Sequence, residues 1–240
     1  MDVFIITGAS KGIGFELSKQ LQSKDKMVIG IARTNPEDVE NFITVNLKDT
    51  SKLHELIENV ISKYSEEATS FTLINNAGMV DPIGLVGDVE AVGIEEGIAV
   101  NLTAPMILSN AFITELKNFT GTKRIVNISS GAGRNAYEGW GTYCATKAGL
   151  DHFSRVVGLE QANADYPVDI VSIAPGIIDT GMQETIRASD DGAFPLLGKF
   201  IAYKEQGILS SAEQTAQKII GFIENIDFKV EGPIVNIRDF

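Results

Sequence analysis

Tyr143 and Lys147 lie four residues apart in the stretch TYCATKAG (142–149), among small side chains. On a helix, positions i and i+4 share a face, so a phenol and an ammonium would stand side by side. A free tyrosine titrates near pH ~10 and exchanges protons sluggishly at neutral pH. A neighbouring cation favours the phenolate and is expected to lower that value toward the working pH. The stretch holds no carboxylate to neutralise the lysine, which is therefore expected to keep its charge for the phenol.

A second hydroxyl source precedes this pair. Ser129 and Ser130 close the apolar run RIVNIS (124–129) and its successor, and Ser130 stands thirteen positions before Tyr143. Either hydroxyl can donate to a substrate carbonyl and steady negative charge developing on its oxygen. Either can also bond its own backbone, a frequent role for serine. Further upstream, Asn101 is followed four residues later by Pro105. Proline has no N–H, so the carbonyl of residue 101 loses its helical partner and a kink is expected there.

A dinucleotide site is suggested at the start of the chain. Gly8, Gly12 and Gly14 form G-x-x-x-G-x-G directly after the apolar run VFIIT and at the start of an amphipathic stretch. Such a turn brings a pyrophosphate close to the free N–H groups of a helix start. The next apolar run ends in Ala32 and Arg33, where a cofactor with a free 2′-hydroxyl would call for an acidic residue. Arg33 and Lys11 are expected to converge on a 2′-phosphate, favouring NADP(H) over NAD(H).

These groups need a scaffold. Apolar, β-branched runs at 3–7, 27–32, 42–46, 71–75, 124–129, 168–174 and 233–237 alternate with helix-like stretches at 12–24, 50–65, 94–118, 142–164 and 211–225. Continuous hydrophobicity predicts strands covered on both faces. The expected fold is a single α/β domain, a Rossmann-type doubly wound parallel sheet of about seven strands with helices on both faces. In such a sheet ligands sit beyond the carboxyl ends of the strands. TGASKGIG, NNAG, NISSGAG and APGIIDTG all fall at those ends. Residues 180–209 form the least regular stretch, and long loops are often substrate lids.

Bulk properties narrow the partners. A net charge of −12 disfavours nucleic acid and anionic membranes. The single cysteine, Cys144, allows no intrachain disulfide and suits a cytoplasmic location. No run approaches a membrane span, and the N-terminal apolar run is too short for a signal sequence. His54 and His152 lack metal-ligand spacing, and no metal is expected.

TGASKGIG, NNAG at 75–78, Asn101, Ser130, the Tyr143/Lys147 pair and PGIIDT at 175–180 resemble, jointly and in order, the short-chain dehydrogenase/reductase family. The spacing to Tyr143 in that family favours Ser130 over Ser129. The resemblance implies hydride transfer between NADP(H) and a carbonyl substrate, with Ser130 polarising the oxygen and Tyr143 passing the proton. It implies that Lys147 also binds the nicotinamide ribose, and that Asn101 holds a water that relays protons to Lys147. Gly8, Ser10, Lys11, Gly12, Ile13 and Gly14 would meet the pyrophosphate end, with Asn46 and Leu47 at the adenine. Asn75, Ala77 and Gly78 would border the adenosine and stabilise the central strands. Pro175, Gly176, Ile178 and Thr180 would hold the nicotinamide.

GWGTYCATKAGLDHF, APGIIDTGMQETIR and GPIVNIRDF further resemble the sepiapterin reductase branch, and within it the benzil reductases. Where the former carry an Asp for the pterin, Asn236 offers only an amide, which shifts the expectation toward a ketone or an apolar or aromatic 1,2-diketone. Sepiapterin reduction and broad carbonyl reduction are the enzymatic alternatives. A non-catalytic NADP(H)-binding redox sensor would have no need of Ser130, Tyr143, Lys147 and Asn101 together. The family resemblance also implies a homodimer.

Overall fold

The computed structural model describes residues 1–36 and 39–240. Within them, runs rich in Val and Ile form seven strands: β1 (Asp2–Thr7), β2 (Lys26–Ala32), β3 (Phe42–Thr44), β4 (Ser70–Asn75), β5 (Thr122–Ile128), β6 (Asp169–Ala174) and β7 (Ile234–Asn236). All pair in parallel in the order β3-β2-β1-β4-β5-β6-β7. The chain builds outward from β1 to β3, returns to β4, then builds the other way. The crevice between β1 and β4 is the switch point where doubly wound sheets take ligands.

The helices are α1 (Gly12–Gln20), α2 (Leu53–Tyr64), α3 (Ala91–Ile98), α4 (Ala104–Glu115), α5 (Gly141–Gln161), α6 (Gly181–Arg187), α7 (Leu197–Glu205), α8 (Ala212–Asn225) and α9 (Phe228–Glu231). Period-two burial divides the strands between two cores. Val3 and Ile5 of β1 pack with α2, α4 and α5 on one face. Phe4 and Ile6 pack with α1 and α8 on the other. Burying each such side chain contributes ~1.5–3 kcal/mol, so both faces resist any slip in strand register.

Two expectations change in detail. The kink at Asn101 is a single π-helical turn, Ala99–Thr103, inside one continuous helix from α3 to α4. Pro105 withholds its N–H, and the Ala104 N–H reaches back to Ala99 O. This 25-residue helix is apolar and long enough to cross a bilayer, but Ala104, Leu108, Ala111 and Phe112 are buried in the core. Residues 180–209 are not an irregular loop: they contain α6 and α7, which rest on a third apolar cluster including Trp140, Phe194 and Phe200.

Candidate active site

A cleft of about 730 Å³ opens beyond the carboxyl ends of the strands. Ser130, at the end of β5, and Tyr143 and Lys147, on α5, line it together. A buried polar row holds α5 against the sheet. Asn75 Nδ2 donates to Asn127 Oδ1 at 2.8 Å, and Asn127 Nδ2 donates to Ser154 Oγ on α5 at 2.9 Å. Asn75 and Asn127 are paired in register on β4 and β5, so the sheet itself sets where α5 docks.

Lys147 is 3% exposed, and its Nζ donates to Ile128 O at 2.8 Å and stands 5.8 Å from the Tyr143 ring centroid. Gly78 lies against it. A Cβ there would lie 3.6 Å from Lys147 Nζ and 3.5 Å from Asn101 Oδ1. Asn101 therefore stands beside the lysine, but its side chain clamps a backbone: Oδ1 accepts from Met79 N at 2.9 Å and Nδ2 donates to Met79 O at 2.8 Å. It lies behind the cleft wall.

The electrostatics overturn one expectation. Burial pushes the Tyr143 phenol above its ordinary value, against the opposing pull of the Ser130 hydroxyl; the lysine does not lower it. The Lys147 ammonium sits at the ring and the Ile128 carbonyl, so desolvation dominates. Burial also lowers Lys147 itself to about 8, with Asp151 acting the other way. A raised phenol stays protonated at neutral pH, which suits a proton donor, and the adjacent ammonium can then stabilise the phenolate left behind. Asp151 is a second correction, because a carboxylate does accompany the lysine, one turn further along α5. It is 2% exposed, accepts from Ser172 Oγ at 2.7 Å and meets Arg134 Nε at 3.4 Å.

The sequence profile of the short chain dehydrogenases matches residues 2–191. The chain belongs to the short-chain dehydrogenase family. It is 38% identical over 250 residues to a benzil reductase ((S)-benzoin forming) of Bacillus cereus, and 36% over 246 residues to one of Bacillus subtilis, each match covering the whole of both chains. Its fold superposes on a short-chain dehydrogenase/reductase from Saccharomyces cerevisiae with a TM-score of 0.84 at 26% identity, covering 99% of this chain and 96% of that one. The family consists of oxidoreductases that bind nicotinamide dinucleotides.

The cleft of this family member fits such a cofactor. Lys11, the residue before α1, makes no side-chain cap, which leaves the N–H groups of the first turn available to an anion such as a pyrophosphate. Gly8 (φ +68°) and Gly12 (φ +58°) hold the left-handed turns that lead into it, and a Cβ on Gly8 would meet Ala77 Cα at 2.9 Å. Ser10, Lys11, Ile13, Arg33, Asn46, Leu47, Ala77, Gly78, Pro175, Gly176, Ile178 and Thr180 all line the cleft, as do Gly8 and Gly12.

Other expected contacts lie elsewhere. Gly14 does not line the cleft; a Cβ on it would stand 2.4 Å from Gly8 O and Asn76 Nδ2, so it serves close packing. Asn75 is buried in the polar row behind the wall. Lys11 Nζ lies 3.7 Å from where a Gly181 Cβ would sit, at the start of α6, while Lys11 and Arg33 both line the cleft. Phe194 is core, with Trp140 stacked on it at 4.8 Å, whereas Tyr137, Trp140, Met182, Gln183 and Tyr203 line the cleft. Sequence reading missed Asp151, Arg134, Asn76 and Thr7. Asn76 Nδ2 donates to Thr7 O at 2.9 Å, and Thr7 Oγ1 accepts from the N–H of Asn76 and of Ala77, which locks the two glycine-bearing turns together.

Proposed function

We propose that the chain is an NADPH-dependent carbonyl reductase whose substrates are ketones, aromatic 1,2-diketones such as benzil foremost. What carries this reading is the meeting of Ser130, Tyr143 and Lys147 at one wall of a dinucleotide-sized cleft, in a chain 38% identical to a benzil reductase. The bound reduced dinucleotide supplies a hydride to the carbonyl carbon. Ser130 polarises the carbonyl oxygen, and Tyr143 gives that oxygen its proton, so a C=O becomes a CH–OH. Lys147 stabilises the resulting phenolate. Asn101, through Met79 and beside Lys147, supports the wall along which the proton is replaced.

Tyr137, Trp140, Met182, Phe200 and Tyr203 offer an aromatic and thioether lining suited to a flat apolar ligand. Asn236 supports the choice against a pterin: its Oδ1 is taken by Arg238 N at 3.2 Å and Nε at 3.3 Å, and it carries no charge. Arg33 on the cleft wall supports NADPH over NADH. In the same reading α6 and α7 are the substrate lid. The chain pairs as a homodimer, a reading supported by the exposed Met106 on α4 and Val156 and Leu159 on α5 and testable by light scattering.

The deciding experiment follows reduced-dinucleotide oxidation with benzil, sepiapterin and a simple ketone, with NADPH and NADH in parallel. Benzil turnover with an NADPH preference that falls in R33A is expected. Turnover that survives Tyr143→Phe refutes the proton donor, and turnover of sepiapterin alone refutes the substrate.

A further inference from the structure

Ser130 opens a turn whose far end reaches the helix that carries Tyr143 and Lys147. Ser130 Oγ accepts from Ala132 N at 3.1 Å and starts a short 3₁₀ turn, Gly131–Gly133, and the next residue is Arg134. The turn lies close on α5: a Cβ on Gly133 would stand 2.9 Å from Lys147 O and 2.9 Å from Asp151 Oδ2. Arg134 then closes over that carboxylate. Its Nε donates to Asp151 Oδ2 at 3.4 Å, and its Nη2 donates to Val235 O on β7 at 2.9 Å. Asp151 is buried, and its other oxygen accepts from Ser172 Oγ on β6 at 2.7 Å. One side chain thus ties the serine's turn to α5 and to β7.

The same contact joins charges. Asp151 stands one helical turn beyond Lys147, and its carboxylate favours the ammonium. A guanidinium on that carboxylate cancels part of the pull, because opposite charges in contact act on a third group as a dipole. The titratable groups facing Lys147 are Tyr143 and Asp151 on its own helix, and Arg134 faces Asp151 from the turn after β5. The other elements packed here present neutral groups: Ile128 O from β5, Asn101 from the π-helical turn and Ser172 from β6.

We propose that Arg134 is a positioning residue for the reaction: it fixes the Ser130 turn against α5 and neutralises the Asp151 carboxylate beside Lys147. This rests on the carbonyl reductase reading and adds a residue to it. Arg134 acts through two others. By the chain it holds Ser130, four residues back, at the end of β5. By its ion pair it sets how strongly Asp151 acts on the ammonium. The second effect has a sign of its own, because loss of Arg134 strengthens the pull on the Lys147 proton whereas loss of Asp151 weakens it.

The test follows kcat/KM against pH, for the ketone that the wild type reduces best, in wild type, R134M, R134K, D151N and R134M/D151N. R134M should lower kcat/KM at its optimum by ~10-fold as the serine's turn loosens. It should also move the alkaline fall to higher pH by ~0.5 unit, since the uncancelled carboxylate holds the ammonium's proton longer. D151N should move that fall to lower pH. R134K keeps the charge and should return the fall to its wild-type position. Without Asp151 the route is gone, so the double variant should share the alkaline fall of D151N. A side chain of purely structural weight would lower the rate and leave the fall in place. The assignment is overturned if the fall in R134M stays put or moves to acid pH, or if the double variant departs from D151N by ~0.3 unit or more. Should R134M fail to fold with its buried carboxylate unpaired, the double variant leaves no such charge and decides by the same comparison with D151N. A wild type that reduces no ketone with either dinucleotide refutes the function reading, whereas an active wild type with an unmoved R134M profile refutes only the role of Arg134.

Discussion

Replacing Lys147 by Met should make the protein more stable at neutral pH while removing its activity. Burial holds the ammonium at about 8 instead of the ordinary 10.5. At ~1.36 kcal/mol per pH unit, the folded chain holds that proton about 3 kcal/mol less favourably than the unfolded chain does. Below pH 8 both states are protonated and the cost is present in full. Between about 8 and 10.5 the folded lysine has lost its proton while the unfolded one keeps it, so wild-type stability rises with pH across that window.

Methionine of similar length removes the cost and also the bond to Ile128 O, which contributes ~1 kcal/mol. The variant should therefore be about 2 kcal/mol more stable than wild type at pH 7, and the advantage should vanish near pH 10. For a chain of this size that is a rise in melting temperature of ~4–8 °C at pH 7. Turnover should fall by ~10²–10⁴ at every pH, because the phenolate loses its cation. Denaturation at pH 7 and pH 10, with turnover measured alongside, decides the matter. A variant equally displaced from wild type at both pH values would mean that the ammonium is not destabilised by its burial.

Three further perturbations probe the supports of the site. Asp151→Asn removes the charge that raises Lys147; its ammonium then deprotonates at lower pH, so the alkaline fall of kcat/KM expected from this group should move to more acid pH in the pH–rate profile. Phe194→Ala empties a fully buried site against Phe200 of α7 and should cost ~3–5 kcal/mol of packing, seen as faster hydrogen exchange over 181–205 and a substrate KM raised by ~10-fold. Gly14→Ala puts a methyl 2.4 Å from Gly8 O, and calorimetry should show dinucleotide affinity falling by ~10-fold or more as the turn is displaced, while a variant that binds normally would show that the turn can shift without loss.

How far the sequence was legible follows from which features are local. The seven strands could be read because each is short, β-branched and apolar on both faces, a pattern that survives without knowledge of its neighbours. The glycine turn and the Tyr143/Lys147 spacing were readable for the same reason, since the geometry of one turn of chain is set within that turn. The segment 180–209 misled because α6 and α7 are short and broken by Asp190, Asp191, Gly192 and Pro195. Their apolar faces acquire meaning only against Trp140, some fifty residues away. Gly14 and Asn75 sat within cofactor motifs, yet what they touch comes from Gly8, Asn76 and Asn127 on other segments.

The phenol shows most sharply where one-dimensional reasoning stops. Spacing correctly reported a cation within one turn of Tyr143, and with it a force in a known direction. The opposing force, desolvation, depends on how completely α5, the end of β5 and α6 enclose the oxygen, and no spacing encodes that. Asp151 shows the same boundary. It stands at i+4 from Lys147 in plain view, but an acidic residue on a helix is usually solvated. It becomes a buried partner only because Ser172 on β6 and Arg134 after β5 close over it. Local pattern thus identified which groups could react. The sign and size of their tuning came from burial, which is why the phenol is raised where the adjacent charge alone would have lowered it.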